Sequence, residues 1–575
     1  MPTSTPPAPA PAHDTTVDLV VAGSGTGMAA ALAAREMGLD VLIVEKTDYV
    51  GGSTALSGGA FWIPASSLLA AEGAVDSPER AELYLRSVVH GTSPDQRWEN
   101  FLRHGDETVR MLQRTTPMRF MWSKGYSDYH PELPGGTAAG RSCECKPFDL
   151  SVLGAERARL RPTGLKSPVP MPITGFDYKW MNLMTRVPGR AVPRVVQRVS
   201  QGIGGKLLGR EYVAGGQALA AGLYAGVLRA GIPVWTRTSV QRLTTDGDRV
   251  TGVVLEQDGR EVTVRARRGV VLAAGGFDHN IALRHEFQSE ALEPGWSLGN
   301  EGNTGDAIRI GQEVGADLDL MDQAWWFPAV APLPGAAPLV LLAERSLPGS
   351  LIVDRHGRRF VNEATDYMSF GQRILERERA GDAVGAMWMV FDQRYRNSYV
   401  YAAGLFPRMA LPDSWYAAGI AHRADDPADL ARRTGLPVEG LAASLRRFNE
   451  LAAAGVDDDF GRGASAYDRY YGDPTVAPNP NLRPLQGQLY AVRIVLGDLG
   501  TCGGLRADGH GRVLRSDRSP IDGLYAIGNT AANAFGATYP GAGATIGQGL
   551  VYGNVVARHA SGRKAPAAGA TSSPS

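Results

Sequence analysis

An excess of charge of either sign is missing from this chain: 59 Lys and Arg balance 59 Asp and Glu over 575 residues, so the formal net charge is zero. A nucleic-acid binder carries a basic excess, and that class is set aside. Cysteine is scarce, with three residues. Cys143 and Cys145 form C-x-C rather than the C-x-x-C of common zinc and redox sites, and Cys502 stands alone. Free thiols in a reducing compartment are expected, and no metal site. No run of 18 apolar residues occurs, so no transmembrane helix is expected. The first residues, MPTSTPPAPAPAHDTT, lack the apolar centre of a signal peptide. Residues 1–14 and 563–575 read as disordered tails, and the protein as cytoplasmic.

Glycine, by contrast, is plentiful: 71 residues, many clustered beside apolar runs. Such clusters let a backbone approach a cofactor closely. The first lies in VDLVVAGSGTGMAAALAAREMGLDVLIVEK. Val17–Ala22 reads as a strand, Gly23, Gly25 and Gly27 as a turn, 29–38 as a helix, and 41–44 as a second buried strand. Glu45 closes that strand, with Lys46 beside it. This is a βαβ dinucleotide unit with an acid placed for a ribose hydroxyl. The spacing is G-x-G-x-G, because Met28 stands where a strict G-x-G-x-x-G has glycine. The helix N-terminus still offers free N–H groups to a pyrophosphate, and Gly27 or Ala29 can serve the third glycine's packing role.

Two more glycine loops follow: Gly51-Gly52-Ser53-Thr54, then Ser57-Gly58-Gly59. An NAD site would have an ordinary crossover helix here. These loops resemble instead the FAD enzymes of the fumarate-reductase-like flavoprotein superfamily, whose longer cofactor needs more close backbone approaches. An apolar run ending in Ala274-Gly275-Gly276 looks like the strand that returns to FAD in that superfamily. N-T-G-D from Asn303 to Asp306 looks like its helix start, with an Asp or Thr cap. G-L-Y-A-x-G-N, with Gly528 and Asn529, looks like its last FAD element. The loop GATYPGAGATIG (536–547) follows, with Ala544 and Ile546 opening a helix over 544–556. The expected fold is α/β: a discontinuous Rossmann-like FAD-binding domain, 15–289 and 488–562, with an inserted α+β substrate domain over 290–487. Only one dinucleotide fold is visible, so electrons are expected to leave to an external acceptor such as a quinone.

Seven motifs narrow the reading: GGSTALSGGAFWIP (51–64), GYSDYHPELPGG (125–136), DQAWWFP (322–328), RRFVNEATDY (358–367), SAYDRYYGDP (465–474), DLGTCGG (498–504) and GNTAANAFGATYPGAGATIG (528–547). With these the chain, from about residue 17 to 560, resembles the bacterial 3-ketosteroid Δ1-dehydrogenases. The resemblance implies non-covalent FAD, a 3-ketosteroid substrate, and loss of a hydrogen pair from C1 and C2 of its A-ring. It implies that the Tyr539 hydroxyl and the Gly543 N–H bind the C3 carbonyl, that Tyr367 abstracts the C2 proton, and that Tyr129 supports Tyr367, with Tyr126 as the rival for that last role. A tyrosine base has a reference pKa of about 10, and a second hydroxyl donating to the phenolate would lower it. Cys502 departs from the lysine common at that position in relatives and is expected to be structural.

Residues 178–210 carry Lys179, Arg186, Arg190, Arg194, Arg198, Lys206 and Arg210 and no acid. The four-residue spacing of Arg190, Arg194 and Arg198 places them on one face of a helix, which suggests peripheral contact with an anionic membrane. Two alternative activities stay open: a 3-ketosteroid Δ4-(5α)-dehydrogenase and a fumarate-reductase-like enoate reductase. The latter wants arginines and histidines around a carboxylate, where these loops carry tyrosine and tryptophan.

Overall fold

The computed structural model describes residues 15–163, 169–402 and 404–563. The two expected tails therefore lie outside the described residues, apart from Arg563. The βαβ unit forms as strand Thr15–Ala22, helix Gly27–Glu36 and strand Val41–Val44. The first strand sits inside a sheet ordered Arg512–Leu514, Pro520–Ala526, Arg260–Leu272, Thr15–Ala22, Val41–Val44, Val234–Trp235. The inner pairings are parallel. A parallel sheet is covered on both faces, which is why VLVV-type runs rather than alternation fill it: Val20, Val21, Ile43, Val270 and Leu272 have no exposed surface. Strands Thr238–Asp246 and Arg249–Gln257 extend Arg260–Leu272 as an antiparallel ribbon.

The chain closes on itself through its last helix, Ala544–Ser561, which lies against Gly27–Glu36. Gly553 permits this contact: a Cβ there would stand 2.8 Å from the Ala30 nitrogen. The loop before the last helix is thereby carried to the mouth of the first glycine turn.

A second, wholly antiparallel sheet holds Leu339–Val340, Ala324–Val330, Leu489–Thr501, Met387–Asp392 and Ser350–Val353, with Ala421–Ala424 also pairing to Leu489–Thr501. The long strand Leu489–Thr501 is its hub. The boundary expected at 488 thus precedes a strand whose strand pairings are made in this second sheet, and the FAD-type sheet resumes only at Arg512. Local sequence could not show this, because an apolar strand does not announce its partner.

The basic segment forms two helices, Gly175–Asn182 and Pro188–Leu207. Its arginines do not make the free basic face expected. Arg198 donates to Asp177 at 2.6 Å and Arg186 to Asp473 at 2.7 Å. Arg190 and Arg194 lie over the Trp180 ring at 4.9 and 5.8 Å. The acids that pair them sit just outside the segment or nearly three hundred residues away. The exposed positions include the apolar Val192, Val196, Ile203 and Leu207 beside Arg190, Lys206 and Arg210. No helix among the described residues is long and apolar enough to cross a membrane.

Candidate active site

A cavity of about 2250 Å³ runs from Glu45, Lys46 and Val240 at one end to Tyr129, Tyr367 and Tyr539 at the other. Its wall is backbone at the glycine loops. Gly23 has φ of 114°, and a Cβ there would lie 2.1 Å from the Ala273 oxygen. Gly59 has φ of 77° and abuts Gly215, whose partner Gly216 is packed on Thr54 and Ser57. The pair Gly215-Gly216 and the neighbouring Gln217 were not singled out from sequence, since they lie outside any strand–turn–helix signature; only contact with the second glycine loop reveals them. Replacing Gly23 with alanine is expected to give colourless protein, read from the flavin absorbance of the purified variant against the parent.

Most of the cofactor residues expected from sequence line this cavity: Gly23, Gly25, Glu45, Lys46, Gly52, Ser53, Thr54, Ser57, Gly58, Gly59, Ala274, Gly275, Asn303, Asp306, Gly528, Asn529 and Ile546. Gly27, Gly51, Gly276 and Ala544 do not. They stand behind the wall, where absence of a side chain or its smallness serves packing: Gly27 against Val21 and Ala273, Gly51 against Ala55 and Ala220, Gly276 against Thr501.

Glu45 has more to do than meet a ribose. Its Oε2 accepts from the N–H and hydroxyl of Ser24, and its Oε1 from the N–H and hydroxyl of Thr47. The four acceptor positions of a carboxylate are thus engaged within the chain, and a ribose hydroxyl would share one of them. Lys46 donates to Thr304 and Asp306. Asp306 begins helix Asp306–Glu313, but the cap is Gly305, at φ of 82°, with no side-chain cap; the carboxylate is drawn to Lys46 instead. The cradle fits FAD: close backbone at the turn, a helix N-terminus for the pyrophosphate, and Asn529 fixed by Trp325 and Thr545, each donating to its Oδ1 at 3.1 Å.

At the far end three tyrosines converge. Tyr367 is the first residue of helix Tyr367–Arg379, whose cap Asp366 accepts from the Ser369 N–H. Tyr129 comes from the GYSDYH loop and Tyr539 from the glycine loop before the last helix. Ring centroids are 5.4 Å apart for Tyr129–Tyr367 and for Tyr367–Tyr539, and 5.1 Å for Tyr129–Tyr539. The Gly543 N–H donates to the Tyr539 hydroxyl at 3.2 Å, so the two groups stand side by side. Gly543 has φ of 88° and caps helix Ala544–Ser561; a Cβ would lie 2.2 Å from the Ala60 oxygen. Trp325 and Phe327, two residues apart on one strand and hence on one face, pack on Tyr539 and Tyr367 at 4.7 and 4.5 Å. Sequence placed them in a motif without a role; their alternation on strand Ala324–Val330 was the usable signal. Tyr126 stacks on Tyr470 at 4.7 Å, lies 6.4 Å from the Tyr129 ring and lines the same cavity.

Burial sets the acidities. It pushes the Tyr539 phenol up to about 12 and Tyr367 well above its ordinary value. The Tyr129 hydroxyl pulls Tyr367 back in part, less than burial raises it. The Tyr129 hydroxyl is itself buried and makes no hydrogen bond of ordinary length. The lowering expected from a second hydroxyl is therefore outweighed by desolvation before substrate enters. Cys502 is buried, with its thiol driven well above the usual range by desolvation. No group of His, Cys, Asp and Glu among the described residues could hold a metal ion.

Residues 18–546 match the family described as FAD binding domain. A 3-oxosteroid 1-dehydrogenase of Mycolicibacterium smegmatis is 42% identical over 552 residues, covering 94% of this chain and 96% of that protein. The chain belongs to this family of FAD-binding flavoproteins. Its Mycobacterium tuberculosis (strain H37Rv) relative of the same name is 43% identical over 94% of this chain and 98% of that one. The crystal structure of the 3-ketosteroid Δ1-dehydrogenase of Sterolibacterium denitrificans, in complex with 1,4-androstadiene-3,17-dione, superposes with a TM-score of 0.89 at 35% identity, over 95% of this chain and all of that one. A 4-oxocyclohexanecarboxylate 2-dehydrogenase of Sinomonas cyclohexanicum is 34% identical over 96% of this chain and 94% of that protein.

Proposed function

We propose that this flavoprotein desaturates the C1–C2 bond of 3-ketosteroids. The observation that carries the reading is the adjacency of the Tyr539 hydroxyl and the Gly543 N–H, 3.2 Å apart, beside the ring of Tyr367. A ketone oxygen that takes the Gly543 N–H from the tyrosine would meet two donors at once, which suits a carbonyl oxygen that gains negative charge. Tyr539 and Gly543 hold the C3 ketone, which acidifies the C2 proton. Tyr367 takes that proton, and the N-terminal end of its helix favours the phenolate. Tyr129, whose free hydroxyl faces the group, supplies the hydrogen bond the phenolate needs. FAD, when bound, supplies the acceptor for the C1 hydride at its N5. The residues facing the tyrosines exclude water with Trp325 and Phe327, which favours a flat apolar substrate over a dicarboxylate.

The cofactor is held without a covalent bond, and electrons leave to a small external acceptor of quinone type. The Δ4-(5α) reading would need C4 and C5 rather than C1 and C2 beside Tyr367; no observation favours it. Contact with a membrane surface through 178–210 would rest on Val192, Val196, Ile203 and Leu207 together with the exposed Arg190, Lys206 and Arg210. Co-sedimentation should then be stronger with anionic than with neutral liposomes.

Anaerobic mixing with a 3-ketosteroid tests the reading: the flavin should bleach within the first turnover, and 4-oxocyclohexanecarboxylate at the same concentration should bleach it far more slowly. Flavin unmoved by the steroid overturns the proposal. With the phenol of Tyr367 raised above 10, the reactive phenolate is a minor form near neutrality. The bleaching rate should climb with pH from 7 towards 10, by up to about tenfold per unit. A rate flat across that range would remove Tyr367 as the base.

A further inference from the structure

Behind the tyrosines lies a charged cluster that the mechanism does not use. Arg141 and Asp128 have no exposed surface, and Asp76 is almost as deep. Arg141 grips Asp76 with two bonds, Nε at 2.9 Å and Nη2 at 2.8 Å, and donates from Nη1 to Asp128. Asp128 also accepts from the Trp62 indole N–H at 2.9 Å and the Thr137 N–H at 3.2 Å. Asp128 is the residue next to Tyr129.

Each arm of this cluster ends on the ketone-binding loop. The Trp62 N–H donates to the Gly543 carbonyl at 3.2 Å, and its indole fills the space at Gly541, where a Cβ would stand 2.4 Å from Nε1. The Tyr129 N–H donates to the Pro540 carbonyl at 3.1 Å. The Tyr84 hydroxyl donates to the same carbonyl at 2.6 Å, with the Arg141 guanidinium 5.3 Å over its ring. Ser142, adjacent to Arg141, donates to the Ala542 carbonyl at 2.8 Å. Four successive residues, 540 to 543, are thus either bonded or packed from one charged centre.

We infer that the buried Asp76–Arg141–Asp128 cluster positions the ketone-binding loop against Tyr129, and that Asp128 and Trp62 are positioning residues for the reaction. A buried ion pair brings little net stability, because desolvation offsets the attraction. What it brings is a fixed geometry, and a donor displaced by about 1 Å can cost a hundredfold in rate. The inference rests on the roles proposed above for Tyr539, Gly543 and Tyr129.

The test uses the FAD-loaded enzyme and anaerobic single-turnover flavin reduction at saturating 3-ketosteroid. Asp128→Asn keeps the shape and leaves Arg141 bonded to Asp76. Trp62→Phe keeps an aromatic ring and leaves the ion pairs untouched, so it decides the matter if Asp128→Asn fails to fold. Reduction should slow about tenfold or more in the folded variants, with FAD content normal and KM within about threefold. Reduction within about twofold of the parent, or a loss that only tracks lost FAD, overturns the inference. Failure of the parent itself to be reduced would instead overturn the functional reading.

Discussion

Tyr367→Phe should purify yellow, bind FAD as the parent does, and reduce its flavin with a 3-ketosteroid more slowly by about a hundred- to ten-thousand-fold, the span ascribed to a positioned acid–base group. The hydroxyl is all that is removed. The ring would still pack on Phe327 at 4.5 Å and the residue would still begin the same helix, so the fold gives no reason for cofactor loss. The proton at C2 would then lose its acceptor, since burial drives the phenol of the neighbouring Tyr129 well above the ordinary value. Tyr129→Phe should cost less, because it removes only the hydrogen bond to the base. Stopped-flow bleaching at 450 nm measures both; near-parental rates in Tyr367→Phe would remove it from the mechanism.

The ketone-binding pair predicts the second large effect. Tyr539→Phe deletes one of two converging donors, and loss of one such donor typically costs about 3 kcal/mol, or a hundredfold or more in kcat. The fall should appear in kcat and kcat/KM alike, because the interaction strengthens as the enolate forms. Gly543→Ala should be at least as damaging for a different reason. Its φ of 88° disfavours any side chain, and the Cβ would meet the Ala60 oxygen at 2.2 Å. The loop must shift, and the N–H moves with it. An unchanged kcat in Tyr539→Phe would mean that the ketone is held elsewhere.

What could be read from the sequence was local. Strand, turn, strand and acid lie within thirty residues, and their spacing alone fixes a dinucleotide unit around Gly23 and Glu45. The tyrosines came from motifs, and the structure brings Tyr129, Tyr367 and Tyr539 within about 5 Å of one another in ring separation. What could not be read was pairing at a distance. Arg186 meets Asp473, so a stretch with no acid of its own is not a free basic face. Strand Leu489–Thr501 has the apolar content of either sheet and belongs to the second. Glu45 looks like a ribose ligand, yet its acceptors are engaged by Ser24 and Thr47. The Arg141 cluster was invisible for the same reason: it joins residues 62, 76, 128 and 141 to a loop four hundred positions later.

The position of the new double bond is the most direct measure of the whole account. Purified enzyme, 4-androstene-3,17-dione and an artificial electron acceptor should yield a product two mass units lighter, with vinyl proton signals from C1 and C2 in its NMR spectrum. No turnover of that steroid, together with formation of a 4,5 double bond from its 5α-saturated analogue, would contradict it.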